Sequence, residues 1–294
     1  MMSVAALSVM LLLSCSLTPT TFGHEQPRPN FSLTELYHLQ SRIFDTTIAL
    51  NADVISPLLA PHIRGRVDIT REFVGAELNT EYLFGLFAQL NKTKAFTLLG
   101  IPVSYTIVHF TGANDTAVSS TLMNFTSPFW TPSPAATFAL EIHAWTQFDA
   151  LGRVAQYDAT FRHWDLFVSG ALARVAAARF DNSLPAAVAY ATRELARAVC
   201  GEHEAHCAGA DRQYADAQAC EDFLTAGVRF GEPHEMGRDT LLCRSVHAPM
   251  VALRPGVHCA HVGRSGGDMC TDALGYAERI DQGFWRESWM PPGW

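Results

Sequence analysis

One stretch near the middle of the chain decides the fold: Glu141-Ile-His-Ala-Trp145-Thr-Gln-Phe148-Asp149-Ala-Leu-Gly152-Arg-Val154-Ala-Gln-Tyr157-Asp158. Its two halves alternate between side-chain types with a period of two, as strands with one buried face do. Between them, Asp149 and Gly152 are residues that a tight turn favours. The stretch therefore predicts a hairpin of two antiparallel strands, over 138–148 and 153–164.

Alternation places two sets of side chains on opposite faces of the first of these strands. One set is Glu141, His143, Trp145 and Gln147, and the other is Leu140, Ile142, Ala144 and Phe148. We expect the apolar set to face the helices. Which face lines a pocket is left open, because a register slip of one residue exchanges the two faces.

The flanking segments predict the rest of an α+β domain. Apolar residues at helical spacing predict helices over 32–50 and 79–90, and a short helical piece over 55–59 that Pro61 ends. Segments 96–110 and 117–126 are rich in β-branched and aromatic residues and predict two further strands. This order is typical of helices packed on a curved antiparallel sheet. Further helices over 166–180 and 185–199 lead into a helical and loop-rich C-terminal region.

The chain begins with a stretch typical of a secretory signal peptide. A largely apolar run of ten residues, Val4 to Leu13, precedes small and polar residues up to Gly23, and it is too short to span a bilayer. We therefore divide the chain into a signal peptide (1–23), an α+β domain (24–165), a helical connector (166–199) and a Cys-rich region (200–294). The expected location is the secretory-pathway lumen or the exterior, with no transmembrane segment after signal cleavage.

Asparagine usage points to the same compartment. Four of the seven asparagines head an Asn-x-Ser/Thr sequence, namely Asn30, Asn91, Asn114 and Asn124. Because that sequence is the acceptor for N-linked glycans in a eukaryotic lumen, we predict a glycoprotein.

Six cysteines are confined to the C-terminal region: Cys200, Cys207, Cys220, Cys243, Cys259 and Cys270. An even number in one segment of a secreted chain predicts three disulfides, whose pairing the sequence leaves open. Six histidines lie in the same segment, so metal binding is the alternative, with His258 and His261 as its candidate ligands. Because Cys-x-x-Cys pairs and standard zinc spacings are missing, we favour disulfides and expect neither a metal nor a cofactor.

Charge and composition narrow the class of partner. The chain has 21 basic and 29 acidic residues, a net charge of −8, and no run of Lys and Arg. It therefore lacks the electrostatic footprint of a nucleic-acid-binding protein. With 48% hydrophobic residues it can bury a core.

The hairpin quoted above resembles the last hairpin of SnoaL-like domains, the cone-shaped α+β fold of polyketide cyclases, which limonene-type epoxide hydrolases share. The resemblance spans residues 31–165. It implies a conical sheet around an apolar pocket, for which we name Tyr105, Trp145, Tyr157 and Phe161 as lining residues.

A second resemblance, to a group of fungal secreted proteins, covers most of the mature chain. It rests on segments such as Gly65-Arg-Val-Asp68, Gln156-Tyr-Asp-Ala-Thr-Phe161 and Arg254-Pro-Gly-Val-His258-Cys259-Ala-His261. It implies a fungal secreted protein with a Cys-rich C-terminal region, and it implies no particular activity.

The SnoaL-like resemblance also implies catalytic residues. Asp158 lies near the centre of the last strand, where SnoaL-like enzymes keep an acid/base carboxylate; the alternative is an ion pair with Arg162 on a solvated face. Limonene-type epoxide opening uses two carboxylates bridged by an arginine, which adds Asp68, Arg66 and Glu81 as candidates. For Glu81 the alternative is a favourable charge in the first turn of a helix.

Two functions follow from these observations. The first is a cofactor-independent general acid/base hydrolase or cyclase of fungal secondary metabolism, acting on a polyketide or terpenoid, with epoxide opening as one candidate reaction. The second is a non-catalytic secreted protein that binds a small apolar ligand or a surface partner. The sheet could also serve as a homodimer interface.

Overall fold

Six strands form one mixed sheet in the order β2-β1-β6-β5-β4-β3. The computed structural model describes residues 29–50, 56–129 and 137–273, with 275 and 277; the predicted signal peptide lies outside these residues. The strands are β1 (Leu59–Val67), β2 (Glu72–Val74), β3 (Ile101–Ala113), β4 (Thr116–Thr126), β5 (Phe138–Phe148) and β6 (Val154–Arg162).

The predicted hairpin is confirmed as β5 and β6. Its register opposes Ala144 to Ala159 and Trp145 to Asp158. In the turn, the Asp149 carboxylate accepts hydrogen bonds from the backbone N–H groups of Leu151 and Arg153, both at 2.9 Å. Gly152 has a φ of 68°, which few other residues adopt at low cost.

The sheet differs from the prediction at β1. This strand pairs in parallel with β6, so the sheet is mixed rather than antiparallel. It also begins at Leu59, where the sequence analysis predicted a short helix ended by Pro61. That prediction was wrong because a short apolar run fits either a helix or a strand. The β1–β6 register is irregular between Leu59 and Arg64, as expected around Pro61, which has no N–H to donate.

Helices cover one face of the sheet and form the C-terminal half. They are α1 (Leu33–Ile48), α2 (Ala76–Thr80), α3 (Leu86–Thr93), α4 (Trp164–Arg179), α5 (Leu184–His206), α6 (Ala217–Asp222), α7 (Leu241–Val251) and α8 (Pro255–Val262). Shorter turns are π-helical at Glu81–Gly85 and Phe223–Gly227 and 3-10 at Gly209–Asp211 and Pro233–Glu235. The α+β class and the helical, disulfide-linked C-terminal region are thereby confirmed.

Local sequence explains where the first helices begin and change. Helix α1 starts at a capping box, in which the side chain of Ser32 accepts from the N–H of Glu35 and the carboxylate of Glu35 accepts from the N–H of Ser32. The single helix predicted over 79–90 is instead α2, a π-helical turn and α3 in succession. Turns of this kind inside helices are frequent at functional sites.

All six C-terminal cysteines are buried, and they form three disulfides, as predicted. The disulfides are Cys200–Cys220, Cys207–Cys259 and Cys243–Cys270. Cys200 lies inside α5, so this helix continues across the boundary drawn between the connector and the Cys-rich region. Among the described helices, none is both long and apolar enough to cross a membrane.

The glycosylation sites remain a prediction. Asn30 and Asn114 are exposed, whereas Asn91 and Asn124 are half-buried. The side chain of Asn91 accepts a hydrogen bond from Lys94 at 2.6 Å, and that of Asn124 donates to Ser104 at 3.1 Å. A glycan at either half-buried site would replace or rearrange these contacts.

We predict that the three disulfides stabilise the fold unequally. Cys207–Cys259 closes 52 residues and Cys200–Cys220 closes 20. On chain entropy alone, removing the first should cost about 4 kcal/mol and removing the second about 3 kcal/mol. The check is urea unfolding of the two double Cys→Ala variants, which serve as controls for each other because all four side chains are buried. Equal losses, or the reverse order, would contradict the prediction.

Candidate functional site

A cavity of about 120 Å³ lies between the sheet and the helices. The sheet contributes Val67, Met123, Phe125, Leu140, Ile142, Ala144, Thr146, Val154, Tyr157, Ala159 and Phe161. The helices contribute Ile43, Phe44 and Thr47 from α1, Tyr82 and Leu83 from the π-helical turn, and Leu86 and Phe87 from α3. Met236 and Val246 complete the wall from the C-terminal half. The face carrying Leu140, Ile142 and Ala144 is therefore the one that lines the cavity.

Two of the four predicted pocket residues line this cavity. Tyr157 and Phe161 do so from β6. Trp145 does not, because it is on the other face of β5 and is 50% exposed. Tyr105 lies outside the cavity as well: its ring packs 5.2 Å from that of Phe44, and its hydroxyl donates to Asp45 at 2.7 Å.

The polar groups in the cavity wall are neutral. Burial raises the pKa of Tyr157 well above the usual range, and its hydroxyl has no hydrogen-bond partner among the described residues. The Tyr82 hydroxyl, whose pKa burial also raises, is 3.2 Å from Thr70 Oγ1. The side-chain oxygen of Gln40 is buried and unpartnered. Of the described lining residues, none is Asp, Glu, Lys, Arg or His.

Asp158 and Arg66 lie on the opposite face of the sheet. They stand side by side in the parallel β1–β6 register and form an ion pair there. The position inside the cone that the SnoaL-like resemblance implied for Asp158 is therefore not observed. Its partner is Arg66 rather than Arg162, which binds Glu141 at 3.1 Å. Both side chains of the pair are partly exposed, so it should contribute little to stability.

Asp68 directly follows β1 and does not itself line the cavity. Its neighbours Val67 and Ile69 both line the wall, and its carboxylate accepts a hydrogen bond from the N–H of Phe161 at 3.2 Å. The residue as a whole is exposed, yet partial desolvation of the carboxyl raises its pKa.

Glu81 is buried away from the cavity and binds the C-terminal half. One carboxylate oxygen is 2.9 Å from His258 Nε2 and accepts from Arg254 Nη2 at 2.7 Å, and the other accepts from Arg254 Nε. Burial would raise the pKa of Glu81, but the hydrogen bonds from His258 and Arg254 outweigh it and lower the pKa. The sequence offered no signal for these contacts. Arg254 is 173 positions from Glu81 along the chain, and His258 is 177 positions from it.

The chain belongs to the BfoA family. Residues 38–159 match the BfoA N-terminal domain, and residues 162–273 match the BfoA family C-terminal domain. Bifonsecin B biosynthesis cluster protein A of Aspergillus brasiliensis is 39% identical over 267 residues, which are 89% of this chain and 88% of that protein. Aurasperone B biosynthesis cluster protein A of Aspergillus niger is 38% identical, over 89% of this chain and 85% of its own length.

Two solved structures of low sequence identity cover about half of this chain. A Mycobacterium tuberculosis LEH-like epoxide hydrolase covers 49% of this chain and 95% of its own, at 12% identity and a TM-score of 0.37. A de novo designed protein with a curved β-sheet covers 48% of this chain and 97% of its own, at 12% identity and a TM-score of 0.31. We draw no functional conclusion from scores this low.

We predict that Tyr157→Phe stabilises the ligand-free protein by about 1 kcal/mol, because it removes a buried hydroxyl that has no partner. The matched control is Tyr82→Phe, which removes a hydroxyl paired with Thr70 and should destabilise by about 1 kcal/mol. Urea unfolding measures both changes. Destabilisation by Tyr157→Phe equal to that of the control would show that the Tyr157 hydroxyl is satisfied in solution.

We predict that Glu81→Gln lowers the free energy of unfolding by about 3–5 kcal/mol at neutral pH, because it breaks a buried ion pair. Because the folded-state pKa of Glu81 is depressed, its stabilisation is fully present above its unfolded pKa of about 4.3 and is lost as the pH falls through the lower folded value. The gap between wild type and variant should therefore narrow in acid. Asp158→Asn, on the solvated face, is the control and should cost less than about 1 kcal/mol.

Proposed function

We propose that this protein binds a small, neutral, apolar molecule of fungal secondary metabolism, a polyketide or terpenoid, in the cavity between sheet and helices. The observation that carries the proposal is an apolar cavity whose described lining residues carry no charged side chain. Ligand sites combine apolar walls with a few polar groups that fix orientation. The two relatives are named as proteins of the bifonsecin B and aurasperone B biosynthesis clusters, which supports this class of ligand.

The cavity volume limits what can enter without a structural change. A dry cavity of about 150 Å³ accepts benzene, whereas drug-sized ligands occupy about 300–1,000 Å³. At about 120 Å³ the present cavity accommodates roughly one ring, and the aromatic walls from Phe44, Phe87 and Phe125 suit such a ring. A larger ligand would have only part of its skeleton inside, or would require α1 and α3 to move apart.

The wall chemistry favours a neutral ligand. With no ionisable carboxylate or cation among the described lining residues, a charged ligand would lose its hydration without gaining a counter-charge. The Tyr157 hydroxyl is protonated because its pKa is raised, and it can donate one directional hydrogen bond once its side chain turns out from the wall in which its oxygen is buried. We therefore expect a ligand with a carbonyl or hydroxyl oxygen at one edge of an otherwise apolar ring.

Secretion is part of the proposal. Disulfides persist in oxidising compartments, and this chain has three buried ones. They support a location in the secretory lumen or outside the cell, as the predicted signal peptide does.

A catalytic role is the second candidate, and Asp68 is the observation that favours it. Its carboxyl has a raised pKa and accepts from the N–H of Phe161, which lines the cavity, so a shift of its side chain could bring it to a bound ligand as a proton donor or acceptor. The carboxylate pair of limonene-type epoxide opening lacks support, because Asp158 and Arg66 are on the other face of the sheet. A cyclase or hydrolase reaction would thus depend on Asp68 with neutral partners such as Tyr157.

The test is mass spectrometry of small molecules that the purified, secreted protein retains from a fungal metabolite extract. We expect wild type, Asp68→Asn and Asp158→Asn to retain the same compound unchanged. Tyr157→Phe should retain it with several-fold lower affinity, the effect of losing one hydrogen bond of about 1 kcal/mol. Ala144→Leu, which fills the cavity, should retain none.

Two outcomes would contradict the proposal that the protein only binds a ligand in this cavity. If Ala144→Leu retains as much compound as wild type, the ligand is held elsewhere and the cavity proposal fails. If wild type and Asp158→Asn convert the compound while Asp68→Asn holds the precursor, the protein is an enzyme and Asp68 is a catalytic residue.

A further inference from the structure

Three buried histidines meet behind the cavity wall, in the C-terminal half. His247 is on α7, and His258 and His261 are on α8, where a spacing of three places them on one helix face. These residues are 0–3% exposed, and each offers a ring nitrogen that lies within 4.8 Å of the other two. Buried polar groups normally have partners, so a convergence of three imidazoles requires an explanation.

The carboxylates around the cluster fix the tautomers of two rings. His258 Nε2 is 2.9 Å from Glu81, and His261 Nε2 is 2.8 Å from Asp268. Because an ionised carboxylate can only accept, each Nε2 carries the proton. The two Nδ1 atoms are then both acceptors, yet they face each other at 3.2 Å. Two lone pairs at this distance repel unless a positive species stands between them.

The positive species between the two Nδ1 atoms could be a proton or a metal ion, and the third ring, that of His247, favours a metal ion. The Nδ1 atom of His247 is buried and has no hydrogen-bond partner in the described part of the chain. A proton shared between His258 and His261 would leave this atom unsatisfied. A cation bound by one ring nitrogen of each histidine would separate the two facing Nδ1 atoms and would also use the third ring.

We propose that His247, His258 and His261 bind one divalent transition-metal ion, of the kind represented by Zn²⁺. Imidazole nitrogen suits such ions, and three histidines are a known zinc ligand set. At Zn–N distances of 2.0–2.1 Å, tetrahedral geometry separates ligand nitrogens by roughly 3.3 Å. The observed His258–His261 separation of 3.2 Å agrees with this value. This proposal departs from the sequence-based expectation that the chain binds no metal.

The surroundings have the features of a metal site beyond the ligands themselves. Metal-binding histidines usually donate their second ring N–H to a carboxylate, as His258 does to Glu81 and His261 to Asp268. Disulfides Cys207–Cys259 and Cys243–Cys270 anchor both ligand-bearing helices, which holds the rings in place before a metal binds. Cys243 and Cys270 also lie near His247, but their sulfurs are joined in a disulfide and supply no thiolate.

The experiment uses the full secreted chain with its disulfides intact. After treatment with a chelator and dialysis, Zn²⁺ is added and bound metal is counted by elemental mass spectrometry, with Co²⁺ absorption as a second readout. We expect one Zn²⁺ per chain for wild type and none for His258→Gln or His261→Gln. Asp268→Asn should bind 10–100-fold more weakly, because it removes only the carboxylate behind His261.

The matched control is His203→Gln. His203 is also fully buried in the C-terminal half, but it is outside the cluster, where its ring accepts from the N–H of Gln213. It should bind Zn²⁺ as wild type does. Asp268 is 81% exposed, so its variant should fold even if the histidine variants do not. Substoichiometric Zn²⁺ in wild type, or undiminished affinity in Asp268→Asn, would overturn the proposal.

Discussion

The buried carboxylate of Glu81 is the constraint on which the arrangement of the two halves depends. Removing an ionised carboxylate from water costs several kcal/mol, and the cost is offset only by partners of good geometry. Those partners, Arg254 and His258, come from the far end of the chain. Helix α8 must therefore pack against the π-helical turn, and the two family domains behave as parts of one structure.

The shape of the cavity depends on the same packing between the two halves. The π-helical turn that directs Glu81 toward α8 directs Tyr82 and Leu83 into the cavity, and Met236 and Val246 close the wall from the C-terminal half. Gly65 sets the position of Tyr157 from the opposite side: a Cβ at residue 65 would come 2.2 Å from the Tyr157 ring. The Tyr157 ring thus occupies the space that a side chain at residue 65 would need.

The sequence was most informative where the signal is local. The β5–β6 hairpin follows from alternation and the turn at Asp149, and the disulfides follow from an even set of cysteines in one segment. The site was harder to predict from the sequence. Asp158 and Tyr157 are adjacent on one strand and point to opposite faces, so a register shift of one residue exchanges which of them faces the cavity. The contact between Glu81 and Arg254, and the meeting of His247 with α8, depend on long-range packing that no short pattern encodes.

The parallel pairing of β1 with β6 has a consequence for the order in which the chain folds. Arg66 and Asp158 are neighbours in the sheet but 92 residues apart in sequence. Forming such a long-range contact first closes a large loop, which lowers the conformational entropy of the chain before the strand pairing stabilises it. This slows folding. During synthesis, the edge of β1 that pairs with β6 therefore stays unpaired until β6 has been made. The protein should depend on the chaperones of its compartment throughout that interval.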